Sequence, residues 1–360
     1  MIQDRPSIRD VAHEAGVSPS TVSRVLNARP DVAPATRERV LQTIEKLNYH
    51  PDAQAVGLSR RRTGVVGLVA PDVITPFCTS VVESVQNTLR AHGYWMLLAA
   101  SGLDTEQAAH LQAQLLEQLW RSRRIDGLLI LIPVEDSLEL LRAMAHEGFP
   151  SVLIDMQYDG TGLNYIAVDN YHGEYEATEY LLQSGYRDIA ILCGPHWMPV
   201  SHDRLAGYQA ALQDWGIPIH SEWIVPGLGF DETTGRYAMR TLLKADPMPQ
   251  VVLAASDRIA FGAMAALDEA GLHVPGDIAI VGFDDIPATA NFRPPLTTVR
   301  QPLEYMGQMA AEHLWDLISG RTDELLQATV KTELVIRASC GTAACTDEFN
   351  PLFSESVEPT

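Results

Sequence analysis

Long hydrophobic runs are missing from this 360-residue chain. No stretch approaches the roughly 18 unbroken apolar residues that a spanning helix requires, so no membrane partner is expected. The opening Met1-Ile2-Gln3-Asp4-Arg5 is polar and leads into no apolar segment. A secretory leader is therefore not expected, and the chain reads as cytoplasmic. Cysteine is scarce. Cys78, Cys193, Cys340 and Cys345 show neither CxxC spacing nor a histidine at zinc-ligand spacing, and read as reduced thiols. Enzyme signatures are absent too. No GxGxxG follows a predicted strand, and GxxxxGK[ST], HExxH and GxSxG do not occur. His196, His202 and His220 fall in predicted loops without a nucleophile partner. Asp284 and Asp285 are chain neighbours whose side chains should diverge. No enzyme activity and no cofactor are expected.

What is present is ordinary globular material. Hydrophobic residues make up 46% and charged residues 20%, which excludes disorder, collagen and coiled coil as the main state. At roughly 150 residues per domain, two or three domains are expected. Basic residues are outnumbered, 26 Lys+Arg to 46 Asp+Glu, for a net charge of −20. The imbalance is uneven. Residues 1–62 hold 10 basic and 7 acidic residues, leaving 16 and 39 for the remainder. A small basic head on an acidic body suggests a nucleic-acid-binding module, because the body should repel DNA.

The head, 1–50, has the pattern of three short helices. Ile8, Val11, Ala12 and Ala15 recur at helical spacing behind Ser7, a plausible N-cap. Gly16-Val17 breaks that helix. Ser18-Pro19 starts a second, with Ser18 as N-cap, Pro19 at the first helical position and Val22, Val25 and Leu26 inward. A third runs from Pro34 to Asn48 with Val40, Leu41, Ile44 and Leu47 on one face. This is the helix-turn-helix plan, whose second helix enters the major groove. Pro19, Ser20, Thr21 and Arg24 then meet base edges, and Arg24 suits guanine because its fork matches two acceptors together. Ser7, Ser18, Ser23 and Asn27 are candidates for phosphate contact. The alternative is a plain helical hairpin with Arg24 as a solvated charge.

Residues 51–62 are polar, end in Arg60-Arg61-Arg62 and read as a linker. From Gly64, continuous apolar strands alternate with amphipathic helices. The expected strands are 65–70, 95–99, 127–132, 151–154, 189–193, 251–255 and 278–282. The expected helices are 78–92, 105–121, 137–147, 172–184, 203–214, 257–270 and 303–319. The alternation implies doubly wound parallel sheets, two of them given the length, in an α/β body of two lobes over 63–340. Lobe 1 is expected at about 63–165 and 293–325, and lobe 2 at about 166–292 and 326–340, with FRPPLTTVRQPL near 290–300 as a crossover. The tail, 341–360, has no Lys or Arg and is expected to be disordered.

Polar and aromatic residues cluster after the expected strands, where open sheets bind ligands. They are Phe77, Asp155, Ser256, Asp257 and Asp284, with Arg204 near a helix start and Phe230 in a loop. Carboxylates accept from adjacent hydroxyls, Arg donates, and aromatic rings cover the apolar face of a pyranose. Each has a plainer reading: Arg204 and Asp284 as a structural bridge, Ser256 or Asp257 as a helix cap, Phe77 and Phe230 as packing.

The strings themselves go further. Ile8-Arg9-Asp10-Val11-Ala12, Gly16-Val17-Ser18, Thr21-Val22-Ser23-Arg24-Val25-Leu26-Asn27, Thr36-Arg37-Glu38-Arg39-Val40 and Leu47-Asn48-Tyr49 strongly resemble the head of the lactose/galactose repressor (LacI/GalR) family. Gly185-Tyr186, Gly194-Pro195, Arg204-Leu205-Ala206-Gly207-Tyr208, Gly282-Phe283-Asp284-Asp285 and Pro295-Leu296-Thr297-Thr298-Val299 follow in the family's order. The resemblance covers the chain to about residue 340. It implies a homodimeric regulator, most simply a repressor, on a near-palindromic double-stranded DNA operator. It also implies a body like a periplasmic binding protein (type I) that holds a small-molecule effector, most simply a carbohydrate. The resemblance assigns effector contact to Phe77, Asp155, Arg204, Phe230, Ser256 and Asp284, though Ser256 stands where Asn is usual. It makes 52–59 a hinge helix formed only over DNA, with Leu58 wedged in the minor groove. Asp52 and Val56 depart from the usual Asn and Arg, and Gly57 lowers helix propensity. Leu58 could equally be an ordinary linker leucine. The rival reading for the whole chain is a solute-binding receptor with no transcriptional role, which the head and the lack of a leader oppose.

Overall fold

The structure, a computed structural model, describes residues 6–26, 29–49, 62–102, 106–132, 134, 137–158 and 160–342. Asn27, the hinge residues 51–61 with Asp52, Val56, Gly57 and Leu58, and the tail from 343 lie outside it. The chain divides into two units, Met1–Gly64 and Val65–Thr360.

The N-terminal unit holds α1 (Ile8–Glu14), α2 (Pro19–Leu26) and α3 (Pro34–Lys46). Ser7 starts α1 through a reciprocal capping box: Asp10 N donates to Ser7 Oγ at 3.4 Å, and Ser7 N donates to Asp10 Oδ2 at 2.7 Å. Gly16, at φ +63, makes the turn that a residue with a Cβ would strain. Ser18 Oγ then accepts from Thr21 N at 3.2 Å and opens α2. Val11, Ala12, Ala15, Val22, Val25, Val40 and Tyr49 form the core. Leu41, expected on the inward face of α3, is instead 50% exposed, and Thr43 is buried in its turn. The stripe of α3 therefore runs Val40, Thr43, Ile44 and Leu47. Thr43 can be buried because its hydroxyl donates to Arg39 O at 2.9 Å.

The second unit is built on two six-stranded sheets. The first contains, in chain order, β1 (Val65–Ala70), β2 (Trp95–Ala100), β3 (Gly127–Leu131), β4 (Ser151–Ile154), β5 (Tyr165–Val168) and β11 (Gln327–Val330). The second contains β6 (Ile189–Pro195), β7 (Ile224–Gly227), β8 (Val251–Ala254), β9 (Ala279–Asp284), β10 (Thr297–Arg300) and β12 (Glu333–Val335). Their spatial orders are β11-β5-β4-β3-β1-β2 and β12-β10-β9-β8-β6-β7. All pairings are parallel except that of β12 with β10. The intervening helices are α4 (Pro76–Ala91), α5 (Glu106–Ser122), α6 (Leu138–His146), α7 (Asn170–Gln183), α8 (Pro199–Asp214), α9 (Glu232–Leu242), α10 (Asp257–Glu269) and α11 (Leu303–Ser319).

Sheet membership corrects the expected crossovers. Residues 165–168 and 327–330 belong to the first sheet, and 297–300 to the second. The connecting strands are short, and β11 and β12 are edge strands with half-exposed patterns. Prolines on either side of 297–300 hid a strand whose first three residues are fully buried. Helix α9 was also not expected. Asp231 starts it by accepting from Thr234 N at 2.7 Å. Gly235 and Gly262 let α9 and α10 touch backbone to backbone, because a Cβ at either would collide with the other helix's main chain.

Candidate functional site

Two sets of side chains stand out, one in each unit. On the head, Ser18, Pro19, Ser20 and Arg24 are exposed, and Thr21 and Ser23 are half-buried at the start and outer face of α2. Arg24 is not wholly idle: its Nη1 lies 3.6 Å from Asp31 Oδ2, with both side chains more than half exposed. Exposed pairs of this kind are worth about 0–1 kcal/mol, so Asp31 holds Arg24 loosely. Ser7 and Ser18 are the helix-starting residues, and Ser18 Oγ also lies 2.7 Å from Ser20 Oγ. Asn27 and Leu58 cannot be placed, since they lie outside the described residues.

In the body, a cavity of about 210 Å³ opens between the two sheets' lobes. Its walls come from the carboxyl ends of eight strands, where an open parallel sheet presents loops and helix starts. Asp72, Thr75, Phe77 and Cys78 follow β1, Ile132 follows β3 and Asp155 follows β4. Met198, Val200 and Arg204 follow β6, Phe230 and Asp231 follow β7, and Arg258 follows β8. Asp284 ends β9, and Gln301 follows β10. Three of these residues hold left-handed backbone without being glycine: Ile132 at φ +51, Asp155 at +71 and Asp284 at +118. Such conformations cost on the order of 1–3 kcal/mol each and gather where function fixes a side chain.

The electrostatics are those of one buried cation among several buried acids. Arg204, 4% exposed, has its guanidinium carbon over the Phe283 ring, 3.7 Å from the centroid. Its Nε donates to Asn170 Oδ1 at 2.9 Å, and its Nη1 donates to Ala255 O. Its Nη2 sits 3.9 Å from Asp284 Oδ1, at the limit of an ion pair. The Arg204–Asp284 bridge is therefore loose, while Gln301 Nε2 donates to Asp284 Oδ1 at 2.6 Å. Burial raises Asp155 to about 7, against the pull of Arg204. It raises Asp284 to about 6, opposed by Arg204 and the Gln301 hydrogen bond, and Glu174 to about 8, again opposed by Arg204. Four buried polar atoms lack any hydrogen-bond partner among the described residues: Asp155 Oδ1, Glu174 Oε1, Ser201 Oγ and Gln301 Oε1. Two of the four belong to the cavity wall. An unmade buried hydrogen bond costs about 1–3 kcal/mol, so the site is poised to accept donors. No cluster of His, Cys, Asp or Glu among the described residues could hold a metal ion.

Of the six residues expected at an effector site, five line this cavity: Phe77, Asp155, Arg204, Phe230 and Asp284. Ser256 does not. Its hydroxyl starts α10 by accepting from Ile259 N at 3.1 Å, and it donates to Phe230 O at the same distance. The helix-cap reading describes it, and it reaches the cavity only through Phe230. Asp257 is likewise internal, accepting from Ile286 N at 2.8 Å and Thr298 Oγ1 at 2.5 Å. Sequence reasoning missed Asp72, Thr75, Asp231, Arg258 and Gln301. Asp72 carries a legible signal, an acid shortly after an expected strand end. Asp231 and Gln301 carry none, because neither β7 nor β10 was expected. At the rim Arg258 is held by Glu232 in a two-pronged pair, at 2.9 and 2.6 Å.

The head's three helices and the two-sheeted body, with a polar cleft between its lobes, define a helix-turn-helix regulator carrying a binding-protein-like receptor. Comparison with known proteins gives the same answer. Residues 7–52 match the model of bacterial regulatory proteins of the lacI family, and residues 178–340 match a periplasmic binding protein-like domain. A curated relative, the HTH-type transcriptional repressor PurR of Proteus mirabilis (strain HI4320), is 36% identical over 334 residues. That alignment covers 92% of this chain and 96% of the relative. The Lac repressor dimer bound to operator and the anti-inducer ONPF superposes with a TM-score of 0.83 at 27% identity, covering 94% of this chain and 99% of that one. A transcriptional regulator CelR–cellobiose complex superposes with a TM-score of 0.68 at 34% identity, covering 93% and 100%.

The chain belongs to the lacI family of bacterial regulatory proteins. It is a DNA-binding transcriptional repressor of that family, not an enzyme, and the matched head displaces the alternative of a receptor without a transcriptional role. No described helix is long and apolar enough to cross a membrane.

Proposed function

We propose that a carbohydrate effector bound between the two lobes sets this repressor's affinity for its operator. The carrying observation is the unmet polar demand inside an aromatic-walled cavity: Asp155 Oδ1 and Gln301 Oε1 are buried without partners near Arg204, Phe77 and Phe230. A sugar meets such demand with hydroxyl donors, and offers its C–H face to the rings. The likeness to a regulator solved with cellobiose supports the same class. Phe77, Asp155, Arg204, Phe230 and Asp284 contact the effector in this reading, and Ser256 steadies Phe230. Ser7, Ser18, Pro19, Ser20, Thr21, Ser23, Arg24, Asn27 and Leu58 contact DNA, with 51–62 as the hinge between head and body.

The repressor works in the cytoplasm as a homodimer on a near-palindromic operator, half-sites ~34–36 Å apart or less. Edge strand β2 supports pairing with a second copy, because Trp95 is 79% exposed, Leu97 40% and Leu98 37%. Unpaired apolar edges of this kind invite another chain. Trp95→Asp should then sediment as a monomer, and an unchanged dimer would count against this interface.

A thermal-shift panel of sugars, sugar phosphates and purine bases tests the effector class, since a ligand of the native state raises its melting temperature. At least one sugar should raise it and change operator retardation on a gel. A shift with a purine base and none with any sugar would sink the carbohydrate reading.

A further inference from the structure

We propose that the effector is an oligosaccharide of at least two units, one between Phe77 and Phe230 and the next in an adjoining chamber walled by Gln157, Asn170 and Asp203. This rests on the carbohydrate reading above and extends it. The second chamber is about 270 Å³ and, like the first, takes walls from both lobes. Asp155 and Val200 border both chambers. Sites for small molecules typically span roughly 300–1,000 Å³. Each chamber alone falls below that range, and the two together fall within it.

The chemistry of the two spaces differs in the way a chain of sugars requires. The first has two aromatic rings for a pyranose face. The second has no aromatic ring among its lining residues, and offers a carboxylate from Asp203 and the Gln157 amide, while the Asn170 amide is already bonded to Arg204 and Val168 O. It suits a hydroxyl-rich unit rather than a flat aromatic one. The junction is where the polar demand lies. Asp155, 6% exposed and held at φ +71, keeps Oδ1 without a partner. A ligand passing between Asp155 and Val200 brings a hydroxyl flanking its glycosidic bond to Asp155 Oδ1.

The test is calorimetric titration of the full-length protein with D-glucose, D-galactose, D-ribose, cellobiose, maltose and lactose. At least one disaccharide should bind about tenfold or more tightly than its constituent monosaccharide, a difference of about 1.4 kcal/mol. Gln157 is exposed and borders only the second chamber, so Gln157→Trp should weaken that disaccharide by about tenfold and leave the monosaccharide within about twofold. Asp203→Asn should show the same split to a smaller degree, and sugar-free melting of both variants checks that they fold. Equal binding of mono- and disaccharides, or equal weakening of both by Gln157→Trp, overturns the two-unit assignment while the carbohydrate reading stands. Failure of all six sugars to bind overturns both.

Discussion

The head and the body solve the problem of recognition in opposite ways. The reading helix of the head displays exposed, solvated groups, and its hydroxyls are already used among themselves at the helix start. Among the described residues of the head no side-chain polar atom is buried and unmet, so the head needs its partner only for function. The body buries the polar groups of its cleft. Asp155, Arg204, Asp284 and Gln301 are each at least 91% buried, and two of the four have a polar atom with no partner among the described residues. An exposed reader can be altered without touching stability, whereas a buried receptor couples binding to the stability of the unit that carries it. That coupling lets occupancy of a cleft influence anything else.

Substitutions can break or sharpen this contrast. The largest effect is expected for Arg204→Ala. It strips the buried acids of their cation and leaves Asn170 Oδ1 and Ala255 O unmet. The two buried acceptors left unmet cost about 1–3 kcal/mol each, to be read from urea denaturation. Any folded fraction should retard operator DNA yet ignore the effector. Wild-type stability together with a wild-type effector response would refute the assignment of Arg204. Arg24→Ala should do the reverse. It should lose about 1–3 kcal/mol of discrimination between operator variants, measured by fluorescence anisotropy, with no change in melting.

The third prediction concerns pH. Folded-state values near 6, 7 and 8 for Asp284, Asp155 and Glu174 lie above those of the unfolded chain. Below about pH 4 both states bind these protons and no difference arises. As pH rises from there to about 8, the unfolded state sheds them first, so the effector-free protein loses stability. Asp155→Asn removes one such group and should recover on the order of 2–3 kcal/mol at pH 8 relative to pH 5. A wild-type and variant difference that does not vary with pH would contradict the argument. The smallest effect is expected for Ser7→Ala, which removes half of a capping box and costs about 1 kcal/mol in the head alone. The melting of the body should not move.

Much of this was legible in the sequence where local chemistry dominates. Caps at Ser7 and Ser18, the Gly16 turn and the continuous apolar strands each follow from short-range preference. Helix α11 matched its expected 303–319 bounds residue for residue. What was illegible depends on the rest of the fold. Leu41 looks apolar enough for a core that Thr43 occupies instead. Strands β5, β7, β10, β11 and β12 are three or four residues long and owe their existence to neighbours already in place. Gln301 could not be found without β10. Ser256 was expected in the site, and its absence from the cavity wall follows from a hydroxyl turned to Ile259 N and Phe230 O, which only the folded loops reveal.

The central claim is that occupancy of the buried cleft governs the exposed reader. Its most direct test is anisotropy titration of labelled operator with the full-length protein, with and without a saturating sugar identified by thermal shift. Operator Kd should change by about 5–150-fold, and operator should change sugar affinity by the same factor. An operator Kd identical in both titrations, with the sugar bound throughout, would contradict the account.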